Sequence, residues 1–110
     1  MKIKNSILLI TALTLVISGC ATIKLTTGGE KIRILTPDEV TSCKKLGKTN
    51  TSVTAKVLGI DRPIEALERE LLTIARNSAA SMGGDTIVPL TIIEDGQQTF
   101  EVYKCVNPKG

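Results

Sequence analysis

The side chains of this 110-residue chain with the widest range of chemistry are three cysteines, Cys20, Cys43 and Cys105. A thiolate can attack an electrophile, ligate a metal or form a disulfide. The chain contains no histidine, so the base that most often activates a nucleophile is missing. Three aspartates fall at predicted cap or turn positions, namely Asp61, Asp85 and Asp95. We therefore predict no catalytic residues and no enzymatic activity.

The N-terminus leads into Cys20 through a short apolar run. Residues 1–6 contain Lys2 and Lys4 and no acid, and residues 7–17 carry no charge. As a helix, this uncharged run would be about 16 Å long, whereas the bilayer hydrocarbon core is about 30 Å thick. A basic start, a short apolar stretch and small residues before a cleavage point are typical of a secretory signal peptide. Residues 1–19 are therefore predicted to be removed.

The four residues that end at Cys20 indicate a lipid modification. Ile17, Ser18, Gly19 and Cys20 resemble the lipobox of bacterial lipoproteins (aliphatic, small, small, cysteine). The resemblance implies cleavage between Gly19 and Cys20, a diacylglycerol on the thiol and a further acyl chain on the new amine, which together anchor a protein stably. The alternative is plain secretory cleavage with a free thiol. Because Ala21 rather than Asp comes after Cys20, the same resemblance favours the outer membrane, facing the periplasm.

Composition limits the partners of the mature chain. Without residues 1–19, 91 residues remain, enough for one domain. The removed segment holds two of the fourteen basic residues, so twelve face eleven acidic ones, a formal net charge of +1. One Phe, one Tyr and no Trp provide almost no stacking surface for bases. We expect the membrane and an envelope protein as partners, no nucleic acid, and no cofactor apart from the covalent lipid.

Cys43 and Cys105 remain once Cys20 is assigned to lipid. Disulfides persist in exported proteins, and a small domain gains stability from a covalent cross-link. Two remaining cysteines allow one connectivity, so we expect a Cys43–Cys105 disulfide, with two free thiols as the alternative. A metal site is disfavoured, because two thiolates without histidine supply half of a structural zinc shell.

The chain beyond the signal peptide divides into three parts. Residues 20–30 predict a lipidated N-terminus and tether, residues 31–106 a single domain, and residues 107–110 a tail. The domain opens with a strand at residues 31–35, in which polar and apolar side chains alternate. Residues 43–53 are polar and contain a glycine, as is typical of an edge strand or a bent strand.

Residues 63–82 predict an amphipathic helix. Asp61 suits the N-cap and Pro63 the first turn, where a missing N–H costs little. The pair Gly83-Gly84 predicts the end of the helix. Apolar residues recur at helical spacing and predict a face that packs on a sheet. These residues are Ile64, Leu67, Leu71, Ile74, Ala75, Ala79 and Met82.

Two strands are predicted after the helix. Residues 85–93 are β-branched and apolar, and Pro89 belongs at an edge, a bulge or a strand start because it has no N–H to donate. Asp95-Gly96 is a strong hairpin signal, and residues 99–106 form the last strand. The order β-β-α-β-β predicts an α+β fold, a small antiparallel sheet with one long helix packed on one face.

Three short motifs resemble those of an uncharacterised family of small bacterial lipoproteins. The motifs are SCKKLG at residues 42–47, ARNSAASMGGDTIV at residues 75–88 and YKC at residues 103–105. The similarity covers roughly residues 31–106, and the family in turn resembles the RcsF-like envelope lipoproteins, which sense envelope damage. The resemblance implies a helix-on-sheet domain of unknown function. This chain has two domain cysteines where the RcsF-like proteins have four, and a shorter tether.

Lys44, Lys45 and Lys48 gather in the second predicted strand. They are candidates for contact with an acidic partner or with anionic lipid headgroups, although lysines also protect an exposed strand edge from pairing. We predict a non-enzymatic, membrane-anchored envelope lipoprotein that binds a protein partner or signals stress, as the RcsF-like proteins do. The alternative is a redox-active or metal-binding periplasmic domain that uses Cys43 and Cys105.

Overall fold

Strands and helices alternate along the chain, as the strand-forming and helix-forming stretches of the sequence predict. A computed structural model describes residues 23–108, so Gly19 and Cys20 lie outside the described residues. In chain order the elements are α1 (Thr27–Glu30), β1 (Arg33–Ile34), a 3-10 helix (Pro37–Val40), β2 (Lys44–Ser52), β3 (Lys56–Val57), β4 (Ile60–Asp61), α2 (Ile64–Ser81), β5 (Thr86–Pro89) and β6 (Gln97–Lys104). The predicted α+β class, with one long helix on a small sheet, is confirmed.

The main sheet has the strand order β1-β5-β6-β2. Strand β6 pairs antiparallel with both β5 and β2, whereas β1 runs parallel to β5. The sheet is therefore mixed, in contrast to the antiparallel sheet predicted from the element order. Because β2 and α2 intervene between β1 and β5, these two strands are free of the hairpin geometry that makes neighbours antiparallel.

The core lies between α2 and the sheet. The buried face of α2 consists of Leu67, Leu71, Ala75 and Ala79, spaced by one helical turn as the sequence pattern predicted. The two ends of the predicted stripe, Ile64 and Met82, are exposed. The core cluster consists of Ile32, Ala75, Ala79, Ile87, Phe100 and Val102.

Helix α2 ends at the predicted glycines in a Schellman motif. Gly83 adopts a φ of 81°, and the N–H groups of Gly83 and Gly84 donate to the carbonyls of Ala80 and Ala79 at 3.1 and 2.9 Å. Gly84 also permits a close approach to the sheet, since a Cβ there would lie 2.6 Å from Cγ1 of Val102. These two glycines turn the chain directly from α2 into β5.

The start of α2 differs from the prediction. The residue at the N-cap is Pro63, with no side-chain capping bond, and Asp61 instead belongs to β4. There Asp61 pairs with Lys56 of β3, and their charged groups lie 3.8 Å apart. The sequence predicts a cap at Asp61 because no local pattern indicates the short β3–β4 hairpin, which contains this residue.

The first described residues pack on α2, which shortens the predicted tether. The Asn77 side chain donates to the carbonyl of Lys24 at 2.8 Å and accepts from the N–H of Thr26 at 2.8 Å. Arg76 donates to the carbonyl of Glu30 at 3.0 Å. Residues 24–30 are therefore part of the folded domain and do not form a free tether. The tether prediction rested on low periodicity, and a four-residue helix such as α1 is too short to show a periodic pattern.

The connection between β1 and β2 crosses the sheet, since these are its two outer strands. Val40 of the 3-10 helix is buried in this connection. Thr86 and Val88 alternate with the core residue Ile87, so they point to the face opposite α2, and they are buried as well. The crossing segment therefore covers part of the face that α2 leaves open.

Two hairpin turns have positive φ at both central residues, but only one of them has the expected sequence. Asp95 and Gly96 have φ values of 50° and 72°, as expected for an Asp-Gly pair in a type I′ turn. Leu58 and Gly59 form the same turn between β3 and β4, with φ values of 52° and 76°. A leucine in the left-handed region costs about 1–2 kcal/mol relative to its ordinary conformation.

We expect Leu58→Asn to raise the free energy of unfolding by about 1 kcal/mol, because Asn adopts the left-handed conformation readily and Leu does not. In thermal denaturation this corresponds to an increase in Tm of about 4–8 °C for a domain of this size. The matched control is Leu58→Val, whose β-branch makes a positive φ less favourable still. The explanation is wrong if Asn lowers Tm or if Val raises it.

Candidate functional site

A β-bulge places two of the predicted lysines on one face of the sheet. The register of β2 against β6 shifts between Lys45, which pairs with Tyr103, and Gly47, which pairs with Val102. In a regular strand, residues three apart point to opposite faces. The extra residue, Leu46, turns its side chain toward the core, so Lys45 and Lys48 both point to the face opposite α2.

These lysines surround a carboxylate on β6. The Nζ of Lys45 lies 2.8 Å from Oε2 of Glu101, whose side chain is 15% exposed. The Tyr103 hydroxyl donates to the same oxygen at 2.8 Å. Lys48 pairs with Glu101 across the strands. We call Lys45, Lys48, Glu101 and Tyr103 the polar cluster.

The hydrogen bonds of the polar cluster shift the pKa values of its members. The bond from Lys45, followed by the bond from Tyr103, lowers the pKa of Glu101 against the opposing effect of burial. The bond to Glu101 raises the pKa of Lys45 and the pKa of Tyr103. All three pKa values therefore move away from neutrality, which is the reverse of what a proton-transfer group needs near pH 7. The charges of the polar cluster are therefore suited to electrostatic interactions and not to proton transfer.

Lys44 lies beside the polar cluster at the end of the sheet where β2 begins. It pairs in register with Lys104 and is exposed. Strand β2 is an outer strand of the sheet, and among the described residues nothing pairs with its outer edge. The structure thus brings Lys44, Lys45 and Lys48 onto one nine-residue edge strand, on which the ion pair with Glu101 holds Lys45 in place.

The predicted disulfide between Cys43 and Cys105 is present, with Cα atoms 4.4 Å apart. It extends the β2–β6 pairing by one register position, next to the pair formed by Lys44 and Lys104. Both cysteines are half-buried. An open cavity of about 520 Å³ borders the disulfide at Ser42, Cys43, Lys44 and Pro108. The bridge therefore faces solvent at this end of the sheet.

Asp85 holds the chain that comes after the disulfide. Its carboxylate accepts from the N–H groups of Cys105 and Val106 at 2.8 and 2.9 Å, and from the Thr86 hydroxyl at 2.9 Å. Burial is the largest single influence on its pKa and would raise it. The three hydrogen bonds and the nearby Arg33 together outweigh burial and lower the pKa of Asp85.

No cluster of metal ligands accompanies the disulfide in the described part of the chain. Among residues 23–108, no group of three or more His, Cys, Asp or Glu side chains is close enough to hold a metal ion. Within the same residues, no helix is long and apolar enough to cross a membrane.

Sequence reasoning found the lysines and the cysteines but not their acidic partners. Glu101 and Tyr103 are two residues apart in a predicted strand, and this spacing places them on one face. This spacing is the sequence signal from which the pairing of Glu101 with Tyr103 could have been predicted. Asp85 was predicted as a turn residue, and its role as an acceptor for Cys105 depends on strand pairing that a local pattern does not reveal.

Comparison with known families adds one assignment. A family model described as Domain of unknown function (DUF4156) matches residues 23–105. The chain belongs to this family. No curated protein and no solved structure matches the chain.

The bounds of the DUF4156 domain agree with the structure. The match begins at residue 23, next to the segment that Asn77 binds, and so includes α1 within the domain. It ends at Cys105, so both half-cystines belong to the domain. The whole polar cluster lies inside these bounds.

We expect Asp85→Asn to lower the free energy of unfolding at pH 7 by about 1–3 kcal/mol, because three hydrogen bonds lose their charged acceptor. The pKa of Asp85 is lowered on folding, so its ionisation stabilises the protein above the unfolded pKa of about 3.9. That contribution is lost as the pH falls through the lower, folded pKa. Urea unfolding at pH 7 and at pH 3 measures both effects.

The control for this experiment is Asp95→Asn. Asp95 is exposed in a type I′ turn, where Asn is equally suitable, so this variant should match the native protein at both pH values. The difference between Asp85→Asn and the native protein should shrink from pH 7 to pH 3. A difference that stays constant or grows on acidification would contradict the assigned role of the carboxylate.

Proposed function

We propose that this protein is a non-enzymatic lipoprotein of the bacterial cell envelope, anchored through acyl chains on Cys20, whose DUF4156 domain binds a protein partner. By its resemblance to the RcsF-like lipoproteins, the proposed role is the signalling of envelope stress from the periplasmic face of the outer membrane. The proposed contact surface is the outer edge of β2 with Lys44, Lys45 and Lys48.

The observation that carries the proposal is the outer edge of β2. Strand β2 is nine residues long, and alternate residues direct their backbone N–H and C=O groups to the outer side, where no described strand pairs with them. Such an edge can accept a strand from another protein. Lys44 and Lys48 are exposed beside it, and lysines favour an acidic partner while opposing the pairing of two identical edges.

The proposed anchor is supported by the start of the domain. Lys24 and Thr26 are bound to Asn77, so Cys20 stands a few residues before the folded domain. A link of three residues reaches about 10 Å when extended. The domain of an anchored protein would then lie directly at the membrane surface, where the nearby envelope proteins are its available partners.

We expect the mature protein purified from membranes to begin at Cys20 and to carry three acyl chains. Intact mass measurement after purification in detergent reads the modification, and peptide mass spectrometry locates it. The control is Cys20→Ser, which has no thiol to form a thioether and should retain residues 1–19 without added lipid. A native chain that starts elsewhere, or that carries no lipid, would contradict the proposed anchor.

A photo-crosslinking amino acid at position 48 should capture an envelope protein in intact cells, because Lys48 lies on the open edge of β2. The control places the same amino acid at Lys31, which is exposed next to β1 at the opposite edge of the sheet. The crosslink should be lost when Lys44 is changed to Glu in the same chain. Equal capture from positions 48 and 31, or capture that survives Lys44→Glu, would count against a specific contact at β2.

A further inference from the structure

The β3–β4 hairpin presents apolar side chains to solvent. Leu58 at its tip is 96% exposed, and the paired residues Val57 and Ile60 are 55% and 72% exposed. Residues directly opposite each other in a hairpin share a face, so Val57 and Ile60 lie together beneath Leu58. We call Val57, Leu58 and Ile60 the apolar tip.

Leu58, the most exposed residue of the apolar tip, also has a strained backbone. Leu58 occupies the left-handed region with a φ of 52°, where Asn or Gly would be comfortable. Strained backbone of this kind is concentrated at functional positions. Because its side chain is almost fully exposed and its backbone is strained, Leu58 makes no evident contribution to the stability of the fold. This combination points to a contact outside the domain.

The hairpin is attached firmly to α2. Arg62, the residue after β4, forms an ion pair with Glu70 in which Nη1 and Nη2 lie 2.9 Å from the two carboxylate oxygens. Arg62 also donates to the carbonyl of Thr54 at 2.9 Å, and its N–H donates to the carbonyl of Ala55 at 2.9 Å. These bonds fix both ends of the hairpin, so the apolar tip is a defined projection.

The hairpin and the N-terminal segment attach to the same side of α2. Glu70 binds the base of the hairpin, and Asn77 binds the segment that begins at Ile23. Seven residues are nearly two helical turns, so these two side chains lie on one side of the helix, about 10 Å apart along its axis. Since Ala75 faces the sheet, this side faces away from the sheet. Ile23 itself is exposed.

We propose that the apolar tip of the β3–β4 hairpin inserts into the membrane interface as a second attachment beside the lipid anchor. This inference rests on the proposed anchoring through Cys20. Only two residues separate Cys20 from Ile23, so these two positions are at most about 10 Å apart, and an anchor at Cys20 would keep this side of α2 near the bilayer. A projecting tip of aliphatic side chains is suited to the boundary between headgroups and acyl chains.

The base of the hairpin also favours the membrane surface as the binding partner of the apolar tip. Lys56 lies next to the apolar tip and is exposed, with its ammonium group 3.8 Å from Asp61. Long basic side chains at the level of the headgroups favour an anionic bilayer surface. A protein pocket would also accept an aliphatic projection, so the experiment must separate lipid from protein contact.

Because the chain contains no Trp, Leu58→Trp gives a single fluorescent reporter at the apolar tip. The purified, acylated protein is reconstituted into phosphatidylethanolamine–phosphatidylglycerol vesicles with and without brominated acyl chains. The matched control is Val106→Trp, a substitution of an exposed residue just beyond the disulfide. We expect brominated lipids to quench most of the emission from position 58 and little from position 106.

Three results would overturn the inference. Both reporters could stay unquenched in protein that is acylated and bound to vesicles, which would leave the anchor intact and remove the hairpin contact. Both could be quenched equally, which would show unspecific proximity. The emission of position 58 could shift to the blue without quenching by brominated lipid, which would indicate a protein contact. Intact mass of each sample reports separately on the anchor, so failure of the anchor is distinguishable.

A second pair of variants tests whether misfolding of the Leu58→Trp reporter could explain the result. Ile60→Trp places the reporter one residue beyond the turn, and it should also be quenched by brominated lipid. Adding Leu58→Asn should reduce that quenching, although Asn suits the turn better than Leu and the thermal transition should not fall. Unchanged quenching in the double variant would contradict a role for Leu58 in membrane contact.

Discussion

The close packing of α2 on the sheet is the constraint on which the other features depend. Ala75 and Ala79 are completely buried where α2 meets the sheet, and Phe100 and Val102 of β6 are completely buried opposite them. Small side chains on the helix allow the backbones to approach, and the large side chain on the strand fills the space between them. Gly84 allows an equally close approach at the end of the helix. Strand β6 lies between β5 and β2, so this contact fixes the centre of the sheet.

Helix α2 covers one face of the sheet, and other parts of the chain cover the opposite face. The crossing segment between β1 and β2 buries Val40, while the polar cluster occupies the part next to β2. The residues directly after β6 are fixed by Asp85 and by the disulfide. In the chain-entropy account, a bridge across a separation of 62 residues stabilises the folded state by about 4 kcal/mol. A domain with so small a core depends on such additions.

Local sequence signals predicted the features that depend on neighbouring residues. The apolar stripe of α2, its glycine end and the Asp95-Gly96 turn each depend on a few adjacent side chains. The parallel pairing of β1 and the β-bulge at Leu46 do not, because they depend on strands that are distant in sequence. Strict alternation would have separated Lys45 from Lys48, so the polar cluster is invisible without the bulge. The turn at Leu58 contradicts the usual residue preference, because a leucine is disfavoured at a positive φ.

The proposed membrane contact and the proposed partner contact use different surfaces of the domain. The apolar tip is attached to the side of α2 that faces away from the sheet, whereas β2 is an outer strand of the sheet itself. An apolar tip of three residues is too small to hold a protein on a bilayer by itself. Next to an acyl anchor, however, its insertion is an intramolecular step with an effective concentration of about millimolar for a short link. A weak second contact is then sufficient to orient the domain, and the edge of β2 keeps its backbone groups and lysines directed toward a partner.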